Sequence, residues 1–153
     1  AWVRPANFHI SLAFLGNIPR DMLKSVTSLL DIVASGKKPF ILTARGIGTF
    51  GKPGSPRVIW AGAKNDEPLK YIYAEIRQLL KEIRIETDVR DFNTHITLGR
   101  VKSSRNREQL LKAIDKISGA VLGEIPVQGI VLMQSVLKQS GSEYSRLHSA
   151  ILH

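Results

Sequence analysis

"NFHISLAFLG", residues 7–16, sets His9 and Ser11 two positions apart in an otherwise apolar run. In a β-strand, residues i and i+2 share a face. His9 and Ser11 are therefore expected on one face, with Ile10, Leu12 and Phe14 on the other, turned into a core. One such pair carries little weight, but the chain repeats it. "HITLGRV", residues 95–101, sets His95 and Thr97 against Ile96 and Leu98 in the same alternation. The two histidines stand 86 positions apart (95 − 9), about half the chain.

Working outward from each motif gives the same succession of elements. Helical periodicity predicts amphipathic helices over 19–34, 68–83 and 105–117. Pro19 near the start and Gly36 just past the end of the first are fitting punctuation. Strands are expected over 39–47, 57–63, 95–101, 124–134 and 144–152. "GTFGKPGSP" (48–56) reads as a loop and the clearest break, and "KQSGSEY" (138–144) as the turn of a terminal hairpin. Residues 85–93 are polar, a short edge strand with a loop at most. Trp60 and Tyr144 read as core rather than as stacking platforms, and His148 and His153 as surface or terminal residues.

The pattern predicts two pseudo-symmetric halves, about 1–56 and 57–153, within 1–153, which is one domain's worth of chain or two small lobes sharing a core. A strand and helix precede the second motif but not the first, which predicts roughly 30 to 40 further N-terminal residues, sized from typical elements.

Composition narrows the function. Hydrophobic residues make up 43 % of the 153-residue chain, enough for a folded core. No apolar run approaches the length of a membrane span, and "AWVRPANFHI" has no secretory h-region. The chain has no cysteine, which excludes disulfides, thiolate catalysis and Cys-built zinc sites and fits a cytoplasmic protein. Lys and Arg total 22 against 13 Asp and Glu, a formal +9. Lys37, Lys38, Lys52, Arg57, Lys102, Arg105 and Arg107 fall in expected loops, and such a field attracts polyanions such as nucleic acid.

Two imidazoles and two hydroxyls presented from matching strands suit chemistry at a phosphodiester. Imidazole titrates near neutrality, so one ring can serve as general base and the other as general acid. The hydroxyls of Ser11 and Thr97 can donate to the non-bridging phosphoryl oxygens, where negative charge must be held. No cofactor is called for. No metal is expected either, because two histidines without a nearby carboxylate or cysteine fall short of a ligand set.

"WVRPANFHISLAFLG" and "FNTHITLGRV" resemble the paired His-x-Thr/Ser-x motifs of the 2H phosphoesterase superfamily, most closely the RNA 2′,3′-cyclic phosphodiesterases, also called 2′–5′ RNA ligases. "GTFGKPGSPRVIWAG" and "LMQSVLKQSGSEYSRL" extend the resemblance over essentially the whole chain. It implies two α+β lobes, each an antiparallel sheet backed by helices, around a central basic cleft. It also implies metal-independent opening of a 2′,3′-cyclic phosphate to a 2′-phosphomonoester, and in principle the reverse ligation. On this resemblance His9 gives a proton to the leaving 3′ oxygen, His95 activates water, and Ser11 and Thr97 hold the phosphate. The partners implied are RNA ends or nucleotides bearing the cyclic phosphate, met by a monomer.

Arg100 is a further candidate to clamp the phosphate. Strict alternation from His95 puts it on the opposite face, and only a bulge or bend near Gly99 swings it inward. Two other readings remain open from the sequence: a non-catalytic RNA-binding module of the same fold, and a metal-dependent hydrolase.

Overall fold

Within residues 40–64, positions 41–45 and 58–62 alternate between buried and more open, as a half-covered strand pair must. Leu42, Ala44, Ile59 and Ala61 are buried, while Val58, Trp60 and Gly62 alternate with them on the other face. In the computed structural model, which describes residues 1–87, 92–139 and 141–153, these residues form β1 (Phe40–Lys52) and β2 (Ser55–Lys64). They pair antiparallel, with Lys52 opposite Ser55 at the turn. The stretch 48–56 is therefore the closed end of a hairpin rather than a break. Its glycines make that possible: Gly51 and Gly54 take φ of 142° and 69°, values that disfavour other residues.

β3 (His95–Arg100) pairs antiparallel with β2, and β4 (Val121–Val127) lies beyond β1, giving a four-stranded sheet of order β3-β2-β1-β4. This sheet is the frame of the first of two compact units, made of Ala1–Leu12, Ile41–Asp66 and Asp91–Ile125. Helix α3 (Arg107–Lys116) belongs to the same unit, and its apolar positions are only partly covered.

The second unit comprises Ala13–Phe40, Glu67–Arg90 and Pro126–His153. Here α1 (Met22–Ala34) packs on α2 (Glu67–Glu82) and on the hairpin of β5 (Gly129–Lys138) and β6 (Gly141–Ile151). Its core joins Val26, Leu30 and Val33 of α1 to Ile72, Ile76 and Leu80 of α2, with Ile130, Ala150 and Leu152. The three helices match the expected ranges closely, because apolar spacing marks all three and a glycine just past the end marks α1 (Gly36) and α3 (Gly119). The expected strand 124–134 is two strands, divided at Gln128.

Several expectations change. Residues 8–16 form no strand, and Phe14 is 70 % exposed instead of buried. Alternation marks an extended chain, but a strand also needs a hydrogen-bonded neighbour, and neither sheet includes these residues. Tyr144 is 49 % exposed on β6, so it is not core. His148 is not an idle surface residue: its Nε2 lies 2.7 Å from Oδ1 of Asp31 on α1. Residues 88–91, within the stretch read as a possible edge strand, lie outside the described residues.

Candidate active site

Both motifs fall within the first unit. Residues 1–3 lie along β3: Trp2 bridges Gly99, and the Val3 amide donates to the Leu98 carbonyl at 2.8 Å. A one-turn 3-10 helix, Pro5–Asn7, then leads directly into His9. The chain thus enters the first motif from the strand that carries the second.

The two imidazoles are anchored alike. Nδ1 of His9 lies 2.8 Å from the Asn7 carbonyl oxygen, and Nδ1 of His95 lies 2.6 Å from that of Asn93. A carbonyl oxygen can only accept, so each Nδ1 carries the proton and donates it. Nε2 is then the nitrogen whose protonation changes in each ring. Neutral, it can take a proton; charged, it can give one. The sequence carries a signal for this in Asn7-Phe8-His9 and Asn93-Thr94-His95, where the repeat begins two residues before each histidine. The bond is made by backbone, so motif spacing alone did not disclose it.

His95 is held further by its neighbours. Thr94 Oγ1 donates to the Asp66 carboxylate at 2.6 Å, and both residues are buried. Phe50 and Trp60 lie beside the His95 ring, at centroid distances of 5.0 and 6.5 Å. None of these three contacts was expected from the sequence, since the partners lie far apart along the chain (28 positions for Asp66 and Thr94) and no motif joins them.

The register settles which face Arg100 occupies. Gly62, Trp60 and Val58 alternate onto one face of β2 and pair with His95, Thr97 and Arg100. Trp60 pairs with Thr97 but Ile59 with Gly99, leaving Leu98 as an extra residue on β3. That bulge reverses the alternation beyond it. Arg100 consequently shares the face of His95 and Thr97, and it is exposed there. Ser11 is half-buried and His9 exposed. Lys52, Arg57, Lys102 and Arg105, all exposed in this unit, add to the positive field. Among the described residues no group of three or more His, Cys, Asp or Glu could hold a metal ion. None of the described helices is long and apolar enough to cross a membrane.

The family model described as LigT-like phosphoesterase matches residues 1–60 and 63–144. The chain belongs to this family, the 2H phosphoesterases, and is a phosphoesterase. It is 35 % identical to a protein of Archaeoglobus fulgidus named RNA 2′,3′-cyclic phosphodiesterase, over 95 % of this chain and 80 % of that one. A protein of the same name from Thermus thermophilus is 33 % identical over 95 % of this chain and 72 % of its own. Among solved structures, TT0787 of Thermus thermophilus superposes with a TM-score of 0.81 at 31 % identity, covering 99 % of this chain and 82 % of that one. E. coli LigT, solved with 3′-AMP, shares the fold at a TM-score of 0.76 and 22 % identity, covering 99 % of this chain and 80 % of that one.

Proposed function

We propose that this chain is an RNA 2′,3′-cyclic phosphodiesterase, a single bilobal domain acting without a metal through His9 and His95. The names of the relatives support the substrate. The observation that carries the mechanism is the matched Nδ1-to-carbonyl bond at each histidine, which supports Nε2 as the working nitrogen of both rings.

Neutral His95 takes a proton on Nε2 from water, and the water oxygen bonds to phosphorus. The bond from phosphorus to the 3′ oxygen breaks, and charged His9 gives that oxygen its Nε2 proton. The products are a 2′-phosphomonoester and a free 3′-hydroxyl, with one proton taken and one returned. Ser11 and Thr97 donate to the non-bridging oxygens, and the Arg100 guanidinium offsets their charge. A 5′-hydroxyl in place of water would give a 2′–5′ linkage by the same path, but water at its bulk concentration favours hydrolysis. The same reading places the enzyme in the cytoplasm, as a monomer, on RNA ends.

Turnover of a nucleoside 2′,3′-cyclic phosphate in excess EDTA, followed by phosphorus NMR, tests this. The expected product is the 2′-phosphate alone. A 3′-phosphate, or activity that appears only with added divalent metal, contradicts the mechanism. RNA binding without turnover would make the chain a binding module instead.

A further inference from the structure

The face of the sheet that carries His95 also carries an aromatic pair whose place catalysis has not yet used. Phe50 is 38 % exposed, and its ring meets the His95 ring edge-on, at 5.0 Å between centroids and 87° between planes. Phe50 rests on Trp60 at 5.3 Å, and Trp60 itself approaches His95 at 65°. The indole lies where a side chain at residue 48 would be: a Cβ on Gly48 would sit 2.3 Å from Trp60 Cζ2. Trp60 Nε1 is buried with no hydrogen-bond partner. A buried donor left unpaired is unfavourable, so packing rather than its polar tip sets the position of this ring.

The bond to Asn93 fixes one atom of the imidazole but not the plane of the ring. A ring packed edge to face against a second ring has its plane fixed as well. We propose that Phe50, seated on Trp60, is a positioning residue for His95, holding the imidazole plane so that Nε2 faces the water it activates. This rests on the reading of His95 as the general base. It does not require Phe50 to touch the substrate, and that separates it from a platform on which a nucleobase stacks.

The test uses Phe50→Leu, which keeps an apolar side chain without a ring, and Phe50→Tyr, which restores the ring. Each is assayed on cytidine 2′,3′-cyclic phosphate, and the carbon-bound ring protons of His95 are followed by NMR. In Phe50→Leu, kcat should fall by about 10-fold or more with little change in KM, and the His95 ring resonances should lose their ring-current shift. Phe50→Tyr should recover both. A raised KM with unchanged kcat would make Phe50 a substrate contact and overturn the proposal. Unchanged kcat, or unmoved His95 resonances, would overturn it as well. Should the wild type not turn over the substrate at all, the proposed function fails, and His95 resonances unmoved in Phe50→Leu would separately reject the contact.

Discussion

Thr94 shows how one side chain outside the motif can support it. Its hydroxyl donates to the buried Asp66 carboxylate immediately before His95. Thr94→Val keeps the shape and removes the donor, leaving the carboxylate short of one hydrogen bond. The loss should be about 1–3 kcal/mol, read from the urea midpoint at constant slope. An unchanged midpoint would mean the bond contributes nothing net. The sequence displayed His9, Ser11, His95 and Thr97 through their repetition, because alternation depends only on neighbours in the chain. Asp66 and Phe50 were invisible for the converse reason. Their contacts, Asp66 with Thr94 and Phe50 with His95, arise only when β1 and β2 fold against β3.

At the scale of elements, the bulge in β3 decides what Arg100 can do. Without it, alternation leaves the guanidinium behind the sheet; with Leu98 as the extra residue, Arg100 joins the face of Thr97. Arg100→Ala should then lower kcat/KM by about 10- to 100-fold, the range for a hydrogen bond to a charged group. Arg100→Lys should recover only part, since an ammonium lacks the planar fork. Wild-type kinetics in Arg100→Ala would place the residue outside the site. A bulge leaves no mark on period-2 hydrophobicity, and so the sequence posed the question of Arg100 without answering it. The first motif shows the opposite limit. Its alternation predicted a strand, yet pairing is a property of the sheet, and Phe14 stands exposed.

For the molecule as a whole, the +9 charge was legible from composition, and its local concentration was not. Lys52 and Arg57 from the β1–β2 hairpin share a unit with Lys102 and Arg105, which follow β3. If these cations meet an RNA backbone, KM for an oligoribonucleotide cyclic phosphate should rise steeply with salt, while KM for a mononucleotide rises little. The double substitution Lys102→Ala with Arg105→Ala should flatten the oligonucleotide slope. Equal slopes for both substrates would remove these residues from RNA binding. The two compact units are likewise a property of space rather than sequence, since each gathers three separated stretches of chain.

The central claim is the division of labour between two histidines anchored in the same way. Its most direct test is the pH dependence of kcat/KM for the wild type, His9→Ala and His95→Ala. On the proposed roles, a base must be neutral, so His95 should make activity rise with pH, and an acid must be charged, so His9 should make it fall again. The wild type should give a bell. His95→Ala should lose the rising limb and His9→Ala the falling one, each with a drop of about 10²–10⁴-fold at the optimum. A bell retained at wild-type height in either variant, or the same limb lost in both, would contradict the account.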